Sequence, residues 1–210
     1  MRQLLLVAAF LALPGSAFAG NFVSFAPYAG YDSLANGDLG CKGGDIQGPA
    51  FGARIGRGNE HGFTGNLDLR SYGGKGKCGG SLSLIGLGFQ GEIPLTDNKR
   101  MGQVGVGAAL GLVFGSLDAP QRRLQLQGLD SGSYDAFLWY RVRLGVAGEG
   151  GVLRMFHLMP IVGWRGSSIT YFDKDEVDQL GTPLDKPHHL TASGPYAQLA
   201  LVMWFGQPAN

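Results

Sequence analysis

Eight ionisable side chains recur at alternate positions of otherwise apolar segments: Arg54, Asp68, Arg70, Glu92, Asp135, Arg141, Arg143 and Arg165. Each shares its side of the segment with glycine or polar residues, and the opposite side is almost uncharged. Three acids among five guanidiniums in that setting point to mutual ion pairing in an enclosed space, because buried charges are tolerated only when paired and hydrogen-bonded. The functional version of the same network is a gated polar path, whose guanidinium surplus would favour anions.

Other candidates carry less. His157 is followed by Leu158, Met159 and Pro160, and no serine is placed for it to activate as a general base would require; it reads as an interior structural histidine. His61 falls in a turn. Asp173, Asp175, Glu176 and Asp178, with His188 and His189 further on, offer oxygen ligands for a calcium ion, yet the EF-hand order and its glycine are missing. That stretch reads as a solvated loop. No metal, nucleotide or haem signature is present, so no cofactor is expected.

The elements that must position the charges have a period of two. In residues 22–32, Val23, Phe25, Pro27, Ala29 and Tyr31 lie on one face, with Ser24, Ala26, Tyr28 and Gly30 on the other. Residues 50–57 set Phe51, Ala53 and Ile55 against Gly52, Arg54 and Gly56. In 63–72, Phe63, Leu67 and Leu69 oppose Thr64, Asn66, Asp68 and Arg70. In 102–114, Val104, Val106, Ala108, Leu110, Leu112 and Phe114 oppose Gln103, Gly105, Gly107, Ala109 and Gly111. Residues 134–146, 154–171 and 195–205 alternate in the same way. Residues 80–93 are less regular: Leu82 and Leu84 fall on the face of Gly86 and Gly88, and a bulge near Leu84–Ile85 would restore the alternation.

The amino terminus precedes this pattern and differs from it. Arg2, an apolar run over residues 4–13, Pro14-Gly15 and the small-x-small Ala17-Phe18-Ala19 read as an export signal cut before Gly20. The run is about half the roughly 20 apolar residues a spanning helix needs. Residues 1–19 are therefore read as a signal peptide and residues 20–210 as one domain. Setting Arg2 aside from the 17 basic residues leaves parity with the 16 acidic ones, which argues against nucleic-acid binding. The chain holds 37 glycines and only 16% charged residues, against about 25% in soluble domains.

Eight segments of about ten residues match the length a tilted strand needs to cross a bilayer. Without a spanning helix, entry into a membrane requires a closed barrel. A soluble barrel would be polar outside and apolar inside; here the charges share faces with glycine, which puts the aliphatic faces in lipid. The expected fold is all-β: a closed antiparallel transmembrane β-barrel of eight strands. Connections after strands two, four and six are short (58–62, 94–101, 147–153), and three of the other four are long (33–49, 115–133, 172–194, with 73–79 the exception). That alternation suits short periplasmic turns and longer outside loops.

Cys41 and Cys78 then fall on the same side of the membrane. Their disulfide would close a loop of about 37 residues and stabilise by ~3–4 kcal/mol. Tyr31, Tyr134, Tyr171, Phe172 and Tyr196 are expected near the outer rim, and Phe22, Trp204 and Phe205 near the inner one, as interfacial girdles. Arg122 and Arg123 lie in the third outside loop, suited to lipopolysaccharide phosphates.

The whole mature chain resembles the small eight-stranded outer-membrane barrels, such as the OmpA transmembrane domain and OmpX. The opening FAPYAGYD (residues 25–32 with the preceding strand start) and the closing YAQLALVMWF (196–205) carry the resemblance. It implies location in the bacterial outer membrane, contact with its lipids and lipopolysaccharide, and delivery by the outer-membrane insertion machinery. Such barrels end on an aromatic that the machinery reads; here Phe205 is followed by five further residues. Three functions stay open: a non-catalytic structural or surface-interaction role through the outside loops, with the extracellular ligand unknown; a narrow channel or carrier for a small solute; and a lipid A-modifying enzyme. The last family places histidine two residues before serine on a strand, a spacing that neither His157 nor His61 has.

Overall fold

In the computed structural model, the residues described are 22–35, 46–58, 62–76, 81–96, 102–119, 122–126, 131–146, 153–173 and 188–206. Strands β1 (Phe22–Leu34), β2 (Ile46–Gly58), β3 (Thr64–Gly76), β4 (Ser81–Pro94) and β5 (Gln103–Ala119) follow one another as antiparallel neighbours. A short β6 (Arg122–Leu126) precedes β7 (Gly132–Val146), β8 (Leu153–Asp173) and β9 (His188–Gly206). β5 pairs with β7, β7 with β8, β8 with β9, and β9 returns to β1, so the sheet closes as an eight-stranded antiparallel barrel. β6 is an accessory strand above β7, bridging β5 and β8.

Alternation does the sorting. Val23, Phe51, Ile55, Leu69, Ile85, Leu110, Leu138, Val162 and Leu199 are all about half or more exposed on the outer face, whereas Arg54, Asp68, Arg70, Glu92, Asp135 and Arg165 are buried inside. This inverts the arrangement of a soluble domain, where contiguous apolar surface of this extent is rare. It suits a barrel set in hydrocarbon.

Three local expectations are corrected. β4 contains no bulge: its ladders run unbroken from Thr64↔Glu92 to Lys75↔Ser81 and from Ser81↔Asp118 to Pro94↔Gly105. Leu82 and Leu84 stay inside because the interior itself becomes apolar at that end, where they pack with Leu34, Ile46, Tyr72, Val113 and Ile169. Tyr196 and Trp204 belong to no girdle. They sit on the inward face of β9 and are buried, while Tyr31, Tyr134 and Trp164 are among the exposed aromatics. Finally, the strands on one side outrun the spans read from the sequence. β5, β8 and β9 extend into residues assigned to connections, as β1 to β3 do by a few residues each, and beyond the Ala35↔Ser193 bridge β9 runs on beside β8, which in turn pairs with β6. The long-loop end therefore carries a one-sided wall built from β5, β6, β8 and β9.

Candidate functional site: the barrel interior

The candidate site is the inward face of all eight barrel strands, and its side chains stack in four levels. At the long-loop end lies the apolar layer just described. Beneath it, a chain of ion pairs crosses the barrel. Arg165 on β8 donates to Asp32 on β1 and, through Nε, to Asp135 Oδ1 on β7 at 2.8 Å. Arg70 on β3 reaches the other oxygen of Asp135 at 2.7 Å and donates to Ser133 at 2.5 Å. Asp135 is thus held between two guanidiniums from opposite walls.

A second group lies closer to the short connections. Arg54 on β2 faces Asp68 on β3 at 3.4 Å and donates to Gln198 on β9 at 2.8 Å. Glu92 stands 4.0 Å from Arg54 and accepts from Gln90 at 2.6 Å. The Tyr28 hydroxyl donates to Asp68 at 2.9 Å, and the Arg54 guanidinium lies 4.5 Å above the same tyrosine ring. Arg165 covers Tyr196 similarly, at 4.4 Å.

At the short-loop end Arg141 donates through Nε and Nη2 to one oxygen of Gln103, at 3.0 and 2.6 Å. Its guanidinium lies near the rings of Trp139 and Trp204, at 4.9 and 5.3 Å. Phe22 closes this end edge-on to Trp204. His157 is buried among Met159, Val202 and their neighbours on the inner face. Glycine makes room for these bulky groups. A Cβ at Gly105 would fall on the Trp139 indole, and one at Gly107 on the Phe137 ring.

Of the eight charges singled out in the sequence, seven are buried inside. Arg143 is not. It is exposed near the end of β7, where the register with β8 shifts between Arg143 and Gly145 and the alternation breaks. The member that sequence reasoning missed is Asp32, 1% exposed. It closes the 22–32 segment on the inward parity of Ser24, Ala26 and Tyr28, and that parity alone is the signal that marks it. With Asp32 gained and Arg143 lost, the buried charges balance among the described residues: Asp32, Asp68, Glu92 and Asp135 against Arg54, Arg70, Arg141 and Arg165. The guanidinium surplus expected to favour anions is absent from this interior.

Several expectations fall outside the described residues: the 1–19 signal, Cys41, Cys78, His61, and the acidic stretch 174–178. Arg122 and Arg123 lie in β6, whose backbone alone is described. A void between the ion-pair chain and the apolar layer, bounded by Asp32, Arg70, Tyr72, Leu84, Val113 and Arg165, has room for about one water molecule.

No family model and no curated protein sequence matches the chain. Solved structures do. Neisserial surface protein A superposes with a TM-score of 0.50 at 14% identity, over 90% of this chain and 98% of that one. The outer membrane protein OprG from Pseudomonas aeruginosa gives 0.45 at 9% identity, over 90% and 97%. The outer membrane protein AlkL, determined in DMPC bilayers, gives 0.46 at 11%, over 91% and 92%. The first of these establishes a shared fold, the small eight-stranded barrel, and fold alone does not assign function.

Proposed function

We propose that the chain is a bacterial outer-membrane barrel with a non-catalytic structural or surface-interaction role, exercised from its long-loop end. The observation that carries this reading is the filled, charge-balanced interior. Four acids and four guanidiniums from opposing walls neutralise one another, and the apolar layer of Leu34, Ile46, Tyr72, Leu82, Leu84, Val113 and Ile169 lies across the barrel above them. A solute path would have to part both. The apolar outer face supports a bilayer setting, and the fold shared with Neisserial surface protein A agrees with an outer-membrane one.

What remains available for recognition is the long-loop end, with its tall wall of β5, β6, β8 and β9. Arg122 and Arg123 in β6 belong to that wall, and lipopolysaccharide phosphates are the partners their chemistry suits. Outer-membrane lipids and the insertion machinery are the other partners of this reading, and the extracellular ligand is left unnamed.

Planar-bilayer recording on the refolded protein tests it. The expected result is no steady conductance from the native barrel. Replacing Leu84 and Val113 by glycine, which removes part of the apolar layer, should give at most small, brief openings because the ion pairs still stand below. Sustained conductance from the native chain would replace this reading with the narrow-channel one. Mass spectrometry of lipid A from cells with and without the protein tests the enzymatic alternative, and unchanged lipid A is expected.

A further inference from the structure

Asp32 has two carboxylate oxygens, and the protein engages one of them. Arg165 donates to Oδ2. Oδ1 accepts from no group among the described residues, although the residue is only 1% exposed. A buried acceptor without a donor bears its full desolvation penalty, and a buried water is the usual way such a group is satisfied.

Asp32 lines the void between the ion-pair chain and the apolar layer. The two sides of that space differ in kind. Leu34, Leu84 and Val113 bound it on the side of the apolar layer. Ser133 and Ser167 also line it, as a cross-strand pair of β7–β8, and both are buried. Ser133 Oγ accepts from Arg70 Nη2, which leaves its own proton to donate. The Tyr72 hydroxyl is already committed to the carbonyl of Ile46 at 2.9 Å.

We propose that this void is a binding site for one neutral hydrogen-bonding molecule, a water, which donates to Asp32 Oδ1 and is held by the Ser133 and Ser167 hydroxyls. Charge selects against an ion. Asp32 and Asp135 offset Arg70 and Arg165, so the surroundings have no net charge for an ion to neutralise. A cation would stand against two guanidiniums, and an anion against the open carboxylate oxygen. A water both donates and accepts, as one acceptor and two hydroxyls require. Through it β1 is joined to β7 and β8 at the level where the inward face turns from polar to apolar. The assignment rests on the filled interior proposed above, since an open lumen would hold bulk water here.

Crystals of the whole refolded barrel, grown in sodium chloride and again in rubidium bromide, test it. The expected result is one solvent peak in the void, within hydrogen-bond reach of Asp32 Oδ1 and of Ser133 or Ser167. It should be equal in the two salts, with no anomalous scattering from rubidium or bromide. Ser167→Val removes a hydroxyl and turns methyl groups into the space, and should lose the peak. Ser168→Val, at the exposed neighbour, should keep it. An anomalous peak in the native void would put an ion there and overturn the assignment. So would a native barrel with no peak, or with Asp32 Oδ1 bonded directly to a protein donor, whether or not the variants fold. A peak retained in Ser167→Val overturns it too. A barrel that carries no current and shows no peak overturns the water site alone, whereas steady conductance overturns the filled interior on which it rests.

Discussion

Asp135 shows what a single buried charge does in this interior. Two guanidiniums, Arg70 and Arg165, converge on its two oxygens from opposite walls, so removing its charge strands both. Asp135→Asn is expected to destabilise the barrel by about 3–5 kcal/mol, the usual result of breaking a buried pair from one side. Urea unfolding from lipid vesicles, followed by tryptophan fluorescence, measures it. Arg143→Ala provides the contrast. Arg143 is exposed, and the same titration should move by no more than about 0.5 kcal/mol. A loss at Arg143 comparable to that at Asp135 would contradict its placement outside the network. Gly107→Ala tests packing at this scale. The added methyl meets the Phe137 ring, and overpacking of that kind costs about 1–3 kcal/mol.

At the scale of the strand, the two faces differ in what they accept. Leu87 on β4 is exposed on the outer face, and its neighbours Gly86 and Gly88 point inward. Leu87→Arg puts a charge in hydrocarbon and should cost about 2–4 kcal/mol if the position lies near the bilayer midplane. The same substitution at exposed Thr96, beyond the end of β4, should cost about 0–1 kcal/mol. Unfolding titrations of the two variants in vesicles decide it: equal small costs would mean that β4 does not face lipid at Leu87. The inward face also changes along its length. Leu82 and Leu84 follow the inward parity of Arg70's level but belong to the apolar layer, so a strand face called polar in its middle is apolar at one end. Leu84→Ala should cost about 2–5 kcal/mol as a core truncation, a value out of keeping with a side chain displaced outward by a bulge.

For the whole molecule, closure is the property to measure. A closed eight-stranded barrel kept folded in detergent should migrate differently on a gel before and after boiling, and a band that does not shift would deny the closed barrel. The disulfide proposed between Cys41 and Cys78 has its own readout on the same gel. The boiled band should change mobility with reductant in protein recovered from the cell envelope, and an unchanged band would leave two thiols. Closure also explains why the interior charges must balance. Because these side chains are buried, each acid needs a guanidinium within reach, and the four of each sign buried among the described residues meet that need.

The sequence by itself determined the class of fold, because the alternation of residue types along a strand is local and closure follows from the lack of any other way to satisfy backbone groups in hydrocarbon. It also marked most of the inward charges, since Arg54, Asp68, Arg70, Glu92, Asp135, Arg141 and Arg165 sit at fixed parity with glycine. Partners were not legible. That Asp135 joins Arg70 to Arg165, residues 65 and 30 positions away, depends on which strands face each other across the barrel. Arg143 was misjudged at a strand end, where the register shift between Arg143 and Gly145 overrides the local alternation, whereas Asp32 keeps the inward parity and was legible from it. The apolar layer around Leu84 and the meeting of Asp135 with Arg70 and Arg165 were decided only by the tertiary structure. Each depends on the register between strands, and register is a relation among residues far apart in the chain.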